Sequence, residues 1–318
     1  MTPDTPSQTR SFPRLFLLLV LVTGLTVACR SSNGNANHQQ STGDLDVETL
    51  RQTLEMEGTV QEGRLKVTIP QNDLGVTVDG VDIIPPMGMG SWAAFAPSGD
   101  SALVMGDIVL REEEVKPVQQ TLTRHSLTAT ALHKHFLREE PRVMYMHIGG
   151  TGPEAELAKG ARAVFDRVAE LRGDDPAEAK AQTVENTLDT GQIAETLGYE
   201  GDMNRGVYKV SIPRSDLQVT AHSQPVTGFM GLGTWAAWQG TPDSAAVAGD
   251  FAMTEDEVSP VIETLADHDI EVVSIHNHMV QDDPQVFFLH YWGQGPAKKL
   301  AKGLRAALDR TGAAPETP

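Results

Sequence analysis

A single cysteine, Cys29, stands in a chain of 318 residues, so no disulfide can form within it. Basic residues are also scarce. Lys and Arg number 25 against 43 Asp and Glu, and the formal charge of −18 argues against electrostatic binding to nucleic acid or to an anionic lipid surface. Cations and neutral ligands remain plausible partners. No apolar run reaches the roughly 20 residues that a membrane-crossing helix needs; the longest, residues 15–22, gives way to Thr23 and Gly24. A Gly-x-Ser-x-Gly nucleophile elbow and a complete phosphate- or dinucleotide-binding fingerprint are both missing, which removes the usual signatures of Ser-His-Asp hydrolysis and nucleotide binding. With 40% apolar residues, the chain can still bury cores for two domains of ordinary size.

Arg10 and Arg14 precede the apolar run, and a small-residue stretch then leads to Cys29 (Leu25-Thr26-Val27-Ala28-Cys29). This is signal-peptide anatomy, and its end resembles a lipobox, in which the cysteine is lipidated and becomes the new N-terminus. The expectation is export to the cell envelope, periplasmic or outer surface, with Cys29 holding the protein to the membrane through a lipid anchor. Residues 1–29 form the signal segment. Residues 30–45 are polar, lack apolar periodicity and read as a flexible tether.

The rest of the chain repeats itself. Pro70 and Pro213, in Val-Thr-Ile-Pro and Val-Ser-Ile-Pro, lie 143 positions apart. The same offset pairs Trp92 with Trp235, Asp107 with Asp250, Glu114 with Glu257, His133 with His276 and His147 with His290, without a gap. A period this long is a duplicated domain. The expected organisation is a first copy over 46–172, a linker over 173–188, a second copy over 189–313 and a tail over 314–318.

Within each copy an apolar run ending at Asp107 or Asp250 precedes a helix-like segment, 111–124 or 254–267. Thr254 and Glu257 have capping-box spacing, while Pro117 and Pro260 require the helix to begin near them or to kink. Two short strands follow, 127–135 and 143–148, with a glycine-rich break and a final amphipathic helix. Shorter strands over 65–69, 74–81 and 87–95 come before. The expected fold class is α+β: two tandem repeats, each a mostly antiparallel sheet with helices on one face and a β-α-β-β-α C-terminal part.

Histidines carry the chemical lead. Each copy places four at matched positions: His125, His133, His135 and His147, then His268, His276, His278 and His290. Residues two apart on a strand share a face, so His133 and His135 project together, as do His276 and His278. His147 and His290 join them if the following hairpin has an even register. Three neutral imidazoles converging in this way can hold a divalent metal such as zinc. A duplicated gene would equally inherit histidines that only hydrogen-bond. His125 and His268 fall where a helix ends and suit its dipole. Asp250 and Glu257, like Asp107 and Glu114, can serve as further ligand or general base, or as turn and capping residues. Trp92 and Trp235 read as core. The glycines at 149, 150 and 152, with 293 and 295, read as a tight turn before a helix.

The Met-Gly-x-Gly-[Ser/Thr]-Trp-Ala-Ala box, the Gly-Asp pairs at 106–107 and 249–250, Glu-Val-x-Pro-Val, and His-x-His followed by Pro and His resemble the LppY/LpqO family of bacterial envelope lipoproteins. His276-Asn277-His278-Met279 lies closest to that pattern, and the first copy departs from it with Lys134 and Phe136. The resemblance implies export and duplication and carries no information on a reaction. Two functional readings follow. One is an envelope metal-binding protein, hydrolytic in its stronger form, with His276, His278 and His290 and their counterparts as ligands and Asp250 or Glu257 as base. The other is a non-catalytic envelope module that binds a ligand or partner and uses its histidines structurally.

Overall fold

A computed structural model describes residues 43–173 and 179–313. The signal segment, Cys29, most of the tether, part of the linker and the tail lie outside the described residues. Among the described residues no helix is long and apolar enough to cross a membrane.

The first copy runs α1 (Val47–Leu54), β1 (Thr59–Gln61), β2 (Arg64–Pro70), β3 (Thr77–Val78), β4 (Val81–Asp82), β5 (Gly90–Ser98), β6 (Ser101–Arg111), α2 (Val115–Arg124), β7 (Thr128–His133), β8 (Glu139–Glu140), β9 (Val143–Gly152) and α3 (Glu154–Arg172). The second runs α4 (Thr190–Leu197), β10 (Gly201–Asn204), β11 (Val207–Pro213), β12 (Thr220–Ala221), β13 (Gln224–Pro225), β14 (Gly233–Gly240), β15 (Ala245–Met253), α5 (Glu255–Asp267), β16 (Glu271–His276), β17 (Asp282–Asp283), β18 (Phe287–Gly295) and α6 (Ala297–Leu308). Each copy builds an antiparallel six-stranded sheet, ordered β1-β2-β5-β6-β9-β7 and β10-β11-β14-β15-β18-β16. The topology is the same in both, and it is the expected α+β class.

Alternate residues of each sheet serve two different cores. Ala102, Val104, Ile108 and Leu110 of β6 pack under the helices with Leu50, Leu122 and Val164. Leu103 and Met105, on the other face, pack with Val219, Met230 and Phe288 of the second copy. In return Phe136 and Tyr145 pack with Ala246 and Trp292. The sheets therefore sit between their own helices and the opposite copy. β15 is buried at every residue for this reason, and its sequence is apolar on both faces except at Asp250.

Several local expectations need correction. Residues 74–81 do not form one strand, because Asp79 and Gly80, at φ 48° and 82°, make a two-residue turn that folds β3 back on β4. The first strand of the histidine hairpin ends at His133, leaving His135 just beyond it. The glycine-rich break is no break: β9 and β18 continue through it, and Leu127 and Leu157 occupy the space a side chain at Gly150 would need. Pro117 falls in the first turn of α2, whereas Pro260 lies inside α5. The helices α1 and α4 are not among the expected elements, and each is capped by an aspartate, Asp46 or Asp189, accepting from a backbone N–H at 3.0 Å.

Candidate metal centre

Strand register lays the candidate residues in one row. Thr68, Trp92, Asp107, His147 and Ala131 oppose one another across five adjoining positions of the first sheet, so their side chains share a face. Ser211, Trp235, Asp250, His290 and Ser274 form the matching row. His133 faces Tyr145 and His276 faces Phe288, two residues along, which is the even register that puts all the histidines on one side. That side is the face turned toward the other copy.

The trios do not make two separate pockets, as the sequence suggests; they meet in one. His133 and His276 stack with ring centroids 3.9 Å apart. His135 lies 3.7 Å from His290, and His147 lies 4.0 Å from His278. Ligand atoms fall within 4.8 Å of one another in the sets His133, His276, His290 and His147, His276, His278, and in Asp107, His133, His147. The first two sets draw on both copies. A metal held by either would cross-link the halves of the chain.

Backbone carbonyls orient several rings. Nδ1 of His147 lies 3.1 Å from Gly106 O, and Nδ1 of His290 lies 3.1 Å from Gly249 O. A carbonyl only accepts, so Nδ1 carries the proton and Nε2 keeps its lone pair for the cluster. Gly106 and Gly249 let the neighbouring strand lie close, since a Cβ there would meet the carbonyl oxygen of Trp92 at 2.5 Å or of Trp235 at 2.2 Å. His135 Nδ1 is held likewise by Gly88 O at 3.1 Å. Its Nε2 is 3.7 Å from Asp107 Oδ2, and His278 Nε2 is 3.6 Å from Asp250 Oδ2.

Within this buried cluster, both ring nitrogens of His133 and His276, Nε2 of His147 and His290, and Oδ1 of Asp107 and Asp250 have no hydrogen-bond partner among the described residues. A buried polar group left so costs about 1–3 kcal/mol. A domain's net stability is only about 5–15 kcal/mol, so a concentration of such groups calls for a compensating ligand. The donor set fits a metal: neutral imidazole with carboxylate suits zinc and other first-row transition metals. Burial, with the neighbouring imidazoles adding to it, holds His133 and His276 far below the usual histidine range, and burial pushes His147 and His290 down to about 3. All are therefore neutral and ready to ligate. Burial raises Asp107 to about 7 and Asp250 well above the carboxylate range. A nearby cation would reverse that shift.

The cluster opens onto a cavity of about 480 Å³ lined by both copies, including Trp92, Trp235, Lys66 and Lys209. The tryptophans are thus not simple core. Each lies under a lysine ammonium, Lys66 Nζ 4.0 Å above Trp92 and Lys209 Nζ 4.1 Å above Trp235. Each indole tip presses on the opposite copy's glycine turn: a Cβ at Gly88 would meet Trp235 at 2.9 Å, and one at Gly231 would meet Trp92 at 3.1 Å. Burial, then the charge of Lys209, lowers Lys66 to about 8, and burial lowers Lys209 to about 8. The lysines obey the same 143-residue offset as the histidines, but a lone lysine in a strand carries no signature.

Asp250 enters the cluster; Glu257 does not, and the sequence expectation of a base at Glu257 needs correction. Glu257 Oε2 accepts from Thr254 N at 2.8 Å in the capping box and pairs with Arg214 at 2.9 Å, while Oε1 accepts from Gly312 N at 2.6 Å. Glu114 is engaged in the same way, but its arginine is Arg172, from the end of α3. Position 71, which matches Arg214, is a glutamine that bonds to Arg172. The two copies thus neutralise one buried glutamate with arginines from different places. His125 and His268 are C-cap residues of α2 and α5, and His268 Nδ1 lies 2.9 Å from Thr264 O.

Residues 48–167 and 191–310 each match the model of one domain family, described as Domain of Unknown Function (DUF1259). The two matches are offset by the same 143 positions as the internal repeat. No curated protein matches the chain. Among solved structures, a double-ringed trimeric shell protein of the RMM microcompartment is similar at 9% identity, covering 77% of this chain and 92% of its own, with a TM-score of 0.17. EtuB from Clostridium kluyveri is similar at 10% identity, covering 79% and 90%, with a TM-score of 0.18. At these scores neither likeness bears on fold or function.

Proposed function

The chain belongs, through both its copies, to the family described as Domain of Unknown Function (DUF1259), and we propose that the two copies jointly form one transition-metal centre in a protein held at the cell envelope through Cys29. His133, His147, His276, His278 and His290 are the imidazole ligands, with Asp107 as carboxylate partner and Asp250 in the matching place. His135, whose Nδ1 is fixed by Gly88 O, stands at its edge. The observation that carries this reading is the set of unpartnered ring nitrogens on His133 and His276, stacked at the meeting of the copies.

A bound metal would supply Lewis acidity toward a carbonyl or phosphoryl oxygen. Asp250, buried 3.6 Å from His278 with Oδ1 free of a hydrogen-bond partner among the described residues, then stands as the carboxylate that would accept a proton, which is the hydrolytic form of the reading. The competing view, histidines that only brace the interface, draws support from the stacking of His135 on Tyr145 at 3.4 Å and of His278 on Phe288 at 3.3 Å. It provides no partner for the inner nitrogens.

Elemental analysis of the untagged full chain tests the proposal. A transition metal bound in a fixed ratio to the chain, lost in the double variant His133→Ala with His276→Ala while the fold is kept, is the expected result. A chain that carries none and takes up no zinc, copper, nickel, iron or manganese at micromolar concentration overturns it.

A further inference from the structure

The buried guanidinium groups of this acidic chain are paired with carboxylates. Arg172 pairs with Glu114, Arg214 with Glu257 and Asp216, and the exposed Arg138 with Asp79 and Glu271. Lys66 and Lys209 differ. Among the described residues neither lies within ion-pair distance of a carboxylate, though both are largely withdrawn from solvent and line the cavity beside the histidines. Each ammonium has three N–H donors. Lys66 uses one, on Phe229 O at 3.2 Å, and Lys209 has no hydrogen-bond acceptor among the described residues. What they share is an indole face, 4.0 and 4.1 Å away.

Asp107 and Asp250 line the same space, but they face His135 and His278 at 3.7 and 3.6 Å and make no ion pair with either lysine, so both ammonium groups keep donors and charge for an anion that enters. Both copies keep the lysine and its tryptophan. We propose that the cavity is an oxyanion-binding pocket, in which Lys66 and Lys209 take the carboxylate or phosphate group of a small molecule and present it to the histidine centre. This rests on the metal reading for the presentation, and on the lysines alone for the capture. A volume of about 480 Å³ suits a metabolite-sized ligand and not a polymer. The indoles Trp92 and Trp235 form apolar walls around the charged group, which strengthens its hydrogen bonds to the ammonium donors.

Isothermal titration calorimetry on the full chain tests this, with inorganic phosphate and acetate as separate probes, glycerol as the uncharged control, and zinc content measured on each sample. The expected result is saturable binding of at least one anion and none of glycerol. The probe that binds more tightly identifies phosphate or carboxylate as the preferred group. Lys66→Gln and Lys209→Gln should each weaken binding at least tenfold, and the double variant should abolish it with zinc content unchanged. Lys66→Arg with Lys209→Arg keeps both charges and should retain binding, which separates lost charge from lost fold. Anion binding unaltered in the double glutamine variant, or no anion binding by zinc-loaded chain, overturns the proposal. If the chain takes up no zinc, the same titrations on metal-free protein decide the lysine pocket, and the failure belongs to the metal reading alone.

Discussion

His133 and His276, equivalent residues of the two copies, lie face to face with their rings 3.9 Å apart and within 10° of parallel. The duplication therefore folds onto itself so that one histidine of each copy meets its own counterpart. A site that serves both copies must respond to a change in either.

Replacing His276 alone should consequently do more than halve metal uptake. His276 belongs to two ligand sets, one with His133 and His290 and one with His147 and His278. Loss of an outer-shell partner alone typically costs about 10–100-fold in metal affinity, and loss of a ligand should cost more than about 100-fold. Zinc affinity of His276→Ala, measured by competition with a chromophoric chelator, checks this. A variant that keeps half the sites at wild-type affinity would show two independent copies instead.

Asp250 and Glu257 should separate cleanly under substitution. Asp250→Asn removes a cluster carboxylate and should weaken metal binding with little loss of stability, since the amide keeps the shape. Glu257→Ala leaves the buried guanidinium of Arg214 short of a partner, and breaking a buried pair costs about 3–5 kcal/mol. Its metal affinity per folded molecule should stay at the wild-type level. Urea unfolding and chelator competition on both variants give the two readings.

Much of this was legible in the sequence, because a duplication supplies its own comparison. The fold class, the shared face of His133 and His135, and the capping-box spacing of Thr254 and Glu257 follow from spacing, whereas the place of His147 beside them waited on the hairpin register. What spacing cannot convey is where a copy's exposed face goes. Asp107 and His147 read as one sheet's row, and nothing local says that His276 and His290 will close over them. The same gap hides the role of Gly88, whose constraint is a tryptophan 147 positions away in the other copy. The N-terminal helices escaped for another reason: at eight residues each, α1 and α4 are too short to be stable alone, and packing of Leu50 and Leu54, or Ile193 and Leu197, against α3 and α6 makes them.

Gly88 should tolerate no side chain. Its φ of 106° is strained for any L residue, and a Cβ would stand 2.9 Å from Trp235. Gly88→Ala should cost more than about 1 kcal/mol. In a Trp235→Phe background the steric part of that cost should shrink while the backbone part stays. Thermal melts of the four proteins in this cycle check it; equal costs in both backgrounds would remove the contact from the account.

Cys29→Ala should release the protein from the membrane fraction and remove a lipid mass from the N-terminal peptide. The prediction rests on Arg10, Arg14, the apolar run and the approach to Cys29, all outside the described residues. Unchanged fractionation with no lipid on Cys29 would refute it.

The metal-free chain should lose stability as the solution is acidified through the histidine range. In the folded state burial pushes His147 and His290 from 6.5 down to about 3, and the other four cluster imidazoles are lowered too. Between pH 6.5 and about 3 the unfolded chain therefore binds more protons than the folded one, and stability falls with falling pH across that window. Asp107 acts in the opposite sense. Raised from 3.8 to about 7, its folded carboxyl holds a proton that the unfolded one has given up, so its contribution improves as the pH falls from 7 toward 3.8. Asp250 shifts in the same direction. Six imidazoles outweigh two carboxyls, and the urea midpoint of metal-free protein should drop between about pH 7 and about pH 5. Zinc should raise that midpoint strongly at the upper end and progressively less toward the lower, because protons compete for the same lone pairs. A midpoint that rises on acidification would mean that the imidazoles are not held neutral, and the ligand role would fall with it.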